Sequence, residues 1–183
     1  MRFVSKSWLL ASLLLLTGGL FGSVSPAAAG TLRTISCSSL PGAGTYSNPF
    51  RIGAVTTTTV VTDCAPLTSG SGFNTRYFSF TLTQSAPSGS AVGMITTLTP
   101  TAQSAVHPGL INPTNGWVIA DSMSEGFWIG QYPTIGRFLN ISPLQRYNIA
   151  LPAGAWVLRA SKLDSPLRSL TTPSYHVVIF LGD

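Results

Sequence analysis

The sequence predicts an all-β protein, a single antiparallel β-sandwich of about eight strands with almost no helix. Three observations carry this. Charged residues make up only 8% of the chain, while Thr, Ser, Gly and Pro are plentiful. Surfaces of that make-up are strand surfaces, with Thr and Ser at the outward positions. Beyond residue 30 no segment keeps an apolar helical period for three turns. Short apolar runs alternate instead with turn-forming clusters, at the spacing of a sandwich.

The first 29 residues stand apart. Arg2 and Lys6 form a positive start, Trp8 to Phe21 an uncharged apolar run, and Ser25-Pro26-Ala27-Ala28-Ala29 a small-residue end. This three-part pattern predicts a signal peptide over 1–29, cleaved before Gly30. The apolar run is shorter than the roughly 20 residues that span a bilayer, so no integral membrane span is expected after cleavage. The first cysteine, Cys37, lies too far on for lipid attachment. The expected location is secreted, periplasmic or cell-surface, and the signal has a bacterial style.

The mature part, roughly 150 residues, is the size of one domain. It divides into an N-terminal extension over 30–49 and a sandwich over 50–183. Two of the ten basic residues leave with the signal, against five acidic ones. The rest are scattered singly from Arg33 to Arg168, whereas a nucleic-acid binder gathers them on one face; nucleic acid is not expected as a partner. Cys37 and Cys64 are the two cysteines, and in an oxidising compartment such a pair is expected to form one disulfide. Closing a loop of about 28 residues stabilises by roughly 3.5 kcal/mol in the chain-entropy model. A redox pair would need Cys-x-x-Cys, and a metal site further His or Cys nearby.

Element by element, the turn cluster Gly42 to Pro49 precedes a β-branched run from Phe50 to Thr62. After a Gly/Ser loop, Thr75 to Thr83 alternates, with Phe78, Phe80 and Leu82 on one face and Tyr77, Ser79, Thr81 and Thr83 on the other. That is a half-buried strand. Ala91 to Leu98, Gly116 to Asp121 and Gly136 to Ile141 are the next candidates. Tyr147 to Leu151 and Ala155 to Lys162 flank the turn Pro152-Ala153-Gly154 and are expected to form a hairpin. Tyr175 to Leu181 is apolar on both faces, as a central strand is.

One set of motifs resembles a known family. It runs from Asn48-Pro49-Phe50-Arg51-Ile52-Gly53 through Arg76-Tyr77-Phe78-Ser79-Phe80-Thr81-Leu82. It continues in Arg146-Tyr147-Asn148-Ile149-Ala150-Leu151-Pro152-Ala153-Gly154-Ala155-Trp156-Val157-Leu158 and closes on Ser174-Tyr175-His176-Val177-Val178-Ile179. Together these resemble the bacterial pre-peptidase C-terminal domains over Asn48 to Leu181. The resemblance implies a sandwich of jelly-roll type and a free-standing accessory or binding module. It transfers no catalytic residues, and the disulfide-capable extension departs from the family pattern.

Groups able to move protons are scarce. His107 precedes Pro108 and is expected in an extended loop; His176 falls in the last strand, at a sheet surface or interface. Neither has metal-ligand spacing, and both read as ordinary hydrogen-bonded histidines. Gly70-Ser71-Gly72 lacks the strand and helix of a nucleophile elbow. Asp121 with Glu125 reads as loop solvation, with calcium the one cation such a pair suits; no cofactor is expected. Asn140-Ile141-Ser142 fits a glycosylation sequon, followed by Pro143.

The constellation with the clearest chemistry is aromatic. Glu125-Gly126-Phe127-Trp128-Ile129-Gly130-Gln131-Tyr132-Pro133 is expected as a loop that sets three aromatics between glycines. Phe127, Trp128 and Tyr132 either offer ring faces to a sugar or protein, with Gln131 and Arg137 supplying directional hydrogen bonds, or plug the end of the sandwich. The expected function is a secreted, non-catalytic binding module for an extracellular polymer, glycan or protein. The rivals are a self-assembling surface subunit, whose strand edges few charges guard, and a small hydrolase using His107 or His176.

Overall fold

The structure is a computed structural model describing residues 31–67, 75–97, 106–114, 116–121, 127–130, 134–141, 151–162 and 172–182. The predicted signal peptide, the Gly/Ser loop and the segment 147–150 lie outside them. In chain order the strands are β1 (Arg33–Ser36), β2 (Phe50–Val55), β3 (Thr59–Cys64), β4 (Thr75–Leu82), β5 (Ala91–Thr97) and β6 (Val106–Ile111). There follow β7 (Val118–Asp121), β8 (Phe127–Ile129), β9 (Thr134–Asn140), β10 (Gly154–Lys162) and β11 (Tyr175–Phe180). The helical element among the described residues is a single 3-10 turn, Cys37–Ser39.

These strands form a β-sandwich-like pair of sheets, ordered β1-β3-β11-β5-β9-β8 and β2-β4-β10-β6-β7. The alternation in β4 sends Phe78, Phe80 and Leu82 inward, where they are buried with Leu110 and Leu158 of the same sheet. Opposite them lie Val61, Met94, Val177 and Ile179 of the other sheet. Each such side chain contributes roughly 1.5–3 kcal/mol of burial. β11 is central, between β3 and β5, as its two apolar faces predict. Val178 on its second face joins Ala91 and Phe138 in a smaller cluster outside the main core.

Three expectations need correction. The sheets are mixed, because β1 pairs with β3 in parallel and β2 pairs with β4 in parallel. The first four strands alternate between sheets, reversing at each crossing, so every second strand returns to its sheet in the same direction. The run Phe50 to Thr62 is therefore two strands in two sheets, divided at Thr56–Thr58. Propensity for β structure says nothing of which sheet a residue joins. Second, β10 takes β4 along Gly154 to Ser161 and β6 along Val157 to Lys162, so from Val157 to Ser161 both its edges are filled by strands distant in sequence rather than by a hairpin neighbour. Third, the described residues alone hold eleven strands, β1, β6 and β8 among those without a counterpart in the expected set.

The predicted disulfide is present: Cys37 and Cys64 are joined, with Cα atoms 5.0 Å apart. It ties the 3-10 turn to the end of β3. Arg33 seals the same flank from the other direction, donating to the carbonyls of Ala54 and Ile52 at 2.8 and 3.3 Å, and so bridges edge strands β1 and β2.

Candidate functional site

Since β1 and β2 share one flank, β7 and β8, the outermost described strands at the other side of each sheet, share the opposite one. Large apolar side chains come to the surface there. Trp117 is 74% exposed, Val118 43% and Ile129 41%. Trp117 is displayed by a tight connection from β6 to β7. Asn112 accepts from the Thr114 amide through its side chain at 2.8 Å and from the Gly116 amide through its carbonyl at 2.9 Å. The Asn112 amide in turn donates to the Trp117 carbonyl at 2.9 Å. Side-chain capture of the amide two residues on is the habit of Asn in turns, and Gly116 supplies the positive φ of 72°.

Aromatic surface continues beside this turn. Any Cβ on Gly116 would lie 2.9 Å from the Tyr46 hydroxyl, so the tyrosine rests against the turn backbone. The Tyr46 ring meets Tyr77 edge-on, centroids 5.5 Å apart. A fixed turn thus presents an indole next to a braced phenol. Ring faces of this kind stack on the apolar face of a pyranose and anchor protein interfaces.

The predicted site residues distribute as follows. Phe127 and Trp128 belong to edge strand β8, not to a loop, paired in register with Phe138 and Arg137. The glycines at 126 and 130 suggested loop, yet three β-prone residues between them suffice for a short edge strand. Gln131 and Tyr132 lie outside the described residues, as does Glu125. Arg137 is buried, 8% exposed, and so turned away from the surface role expected of it. Sequence reasoning placed Trp117 in a strand without singling it out. The turn signature Asn112-Pro113-Thr114-Asn115-Gly116 just before it was the available signal.

Arg137 and His107 form a buried contact between the sheets. His107 is not in a loop but in β6, 2% exposed, with Arg137 Nη1 2.9 Å from its Nδ1. Pro108 disguised this strand. It pairs in register with Ala160 of β10, and the described pairing with β7 begins one residue later, at Gly109; a strand tolerates a proline where the ladder does not need its amide. Burial first, then the Arg137 charge, holds the His107 imidazole down at about 4, while Asp121 pulls the other way. Burial lowers Arg137 to about 10. The imidazole is therefore neutral at pH 7 and its Nδ1 accepts from the guanidinium. Asp121 is itself engaged by Arg159 at 2.5 Å, across β6, above Gly109. A Cβ on Gly109 would stand 3.1 Å from that guanidinium, so the glycine makes room for the ion pair.

In a Ser-His-Asp triad the histidine is oriented by a carboxylate at one nitrogen and faces the nucleophile with the other. His107 instead has a cation at Nδ1. His176 Nδ1 accepts from the Asp63 amide at 3.2 Å, a structural role. Among the described residues no three His, Cys, Asp or Glu side chains gather as a metal site would require. Nor is any helix among them long and apolar enough to cross a membrane. Set against known protein families and curated proteins, the chain matches no family model and no curated sequence.

Proposed function

We propose that this protein is a secreted, non-catalytic binding module that engages an extracellular polymer, glycan or protein at the cell surface through the flank bounded by β7 and β8. The observation that carries the reading is Trp117, 74% exposed on a turn fixed by three hydrogen bonds. Leaving a large aromatic in water forgoes burial worth roughly 2–3 kcal/mol, which a partner can recover. Val118 and Ile129 extend the apolar surface along the same flank. The signal-like 1–29 segment and the Cys37–Cys64 disulfide support export. The likeness to pre-peptidase C-terminal domains, with a jelly-roll connectivity, supports an accessory role and belongs to the same proposal.

The test is binding of the mature protein to a glycan array and to intact cell-wall polysaccharide, beside Trp117→Ala. Loss of about tenfold or more in affinity with an unchanged melting temperature supports the reading; equal binding by the variant removes it. The second reading, self-assembly, draws on the same exposed Val118 and Ile129, on strands that are outermost among the described residues of each sheet. Size-exclusion chromatography over a hundredfold range of concentration separates the two, since a constant monomer contradicts assembly.

A further inference from the structure

A concave feature lies beside the disulfide, away from the β7–β8 flank. It is a cleft of about 340 Å³ between the 3-10 turn, the 41–50 segment and the ends of β3, β4 and β11. That volume falls within the 300–1,000 Å³ typical of small-molecule sites. Leu40 and Phe50 give it apolar wall, and Tyr175 lies at its buried base. Two opposite charges line it as well, Asp63 and Arg76. The chain has only five acidic residues, so a carboxylate and a guanidinium at one small cleft are conspicuous.

Asp63 is held in an unusual way. Its φ of 57° makes it the described non-glycine residue in the left-handed region. The register between β3 and β11 slips there, so that Thr62 and Asp63 stand opposite His176 alone. Such bulges re-aim side chains and recur beside functional sites, and left-handed backbone outside glycine persists where surrounding structure fixes it. Here the fixing is visible. The His176 ring holds the Asp63 amide at 3.2 Å, and the next residue, Cys64, is anchored by the disulfide.

The opposite wall is equally constrained. The Arg51 amide donates to Pro41 at 2.8 Å, Ala43 to Asn48 at 3.0 Å, and Tyr77 to Gly44 at 3.0 Å. Gly42 and Gly44 both have positive φ and no room for a Cβ, Gly42 against the Pro49 carbonyl and Gly44 against the Phe50 ring and Arg76 Cδ. Arg76 pairs in register with the buried Ala160, which puts it on the inner row of β4 at the strand's open end. A cleft whose walls are fixed before a ligand arrives loses little entropy on binding.

From this juxtaposition we infer that the cleft binds a small zwitterion of the amino-acid or dipeptide class, its carboxylate on Arg76 and its ammonium on Asp63. A guanidinium matches a carboxylate with two parallel hydrogen bonds, and the Asp63 carboxylate accepts from an ammonium. The apolar wall at Leu40 and Phe50 leaves space for a small aliphatic side chain. This inference is independent of the β7–β8 flank, and either can fail alone.

The experiment is a titration of the mature protein with L-alanyl-L-alanine, followed by amide NMR shifts, up to about 10 mM. A second titration uses the same dipeptide acetylated at its amine and amidated at its carboxyl. Saturable shifts at Ser38, Asp63 and Arg76 with the zwitterion, weakened about tenfold or more by the blocked analogue, are the expected result. Asp63→Asn, which tolerates left-handed backbone as Asp does, and Arg76→Gln should each weaken binding by a similar factor. Arg76→Lys should retain more affinity than Arg76→Gln. Absence of saturable binding, or equal affinity for the blocked analogue, overturns the inference; the second comparison needs no variant to fold. Wild-type affinity in both charge-neutralised variants overturns it too.

Discussion

Acidification should loosen the contact between the sheets at His107. In the folded chain its imidazole is held at about 4, against 6.5 when exposed. Between those values the unfolded chain takes up a proton that the folded chain refuses. Stability therefore falls as pH drops from about 6.5 to about 4 and levels off below, as far as this group is concerned. The displacement corresponds to about 3 kcal/mol. For a chain of this size that is a drop of roughly 6–12 °C in melting temperature.

Carboxylates titrate in the lower part of the same range, so the quantity to measure is a difference. His107→Asn keeps an acceptor oxygen near the Nδ1 position and has no proton to gain. Melting followed by circular dichroism from pH 7.5 to 4 should show the wild type approaching, then reaching or crossing below, the variant as acid rises. Parallel curves for the two proteins across the range would refute the reasoning, since they would mean that His107 titrates alike in folded and unfolded chains.

Three further outcomes follow from packing and crosslinking. Gly93→Ala should destabilise by about 1–3 kcal/mol in chemical denaturation, because its Cβ would lie 2.4 Å from the Arg137 carbonyl and as close to the Phe138 ring; a change within error would contradict that packing. Phe78→Ala, at a fully buried ring between Phe50 and Tyr175, should cost about 3–5 kcal/mol in the same assay. Replacing Cys37 and Cys64 together by Ala should cost about 2–5 kcal/mol, and the native protein in thiol reductant should melt at the variant's temperature.

Much of the fold was legible because alternation reports burial directly. Phe78, Phe80 and Leu82 announce β4 and its inner face, and the doubly apolar stretch from Tyr175 announces a central strand. What was not legible is long-range. Nothing local in Phe50 to Thr62 says that its two halves join different sheets, or that crossing between sheets makes β1 and β3 parallel. Pro108 hid a strand because a proline is read as a break, whereas the cost depends on whether the ladder needs its amide. At the candidate site the same distinction holds. The sequence pointed to the 127–132 aromatics and to Arg137 as a surface donor, while the structure buries Arg137 against His107 and exposes Trp117. Burial of a long cation depends on a partner thirty residues away, and composition carries no record of that.

The account turns on whether the exposed aromatic flank is a contact surface, and Trp117→Ala addresses it most directly. The measurement is equilibrium binding of wild type and variant to the glycan or polymer that the wild type retains on an array, with melting temperature as the control. The account predicts a loss of about tenfold or more in affinity at a melting temperature within about 2 °C of the wild type. A variant that binds as tightly as the wild type, at the same stability, would contradict it.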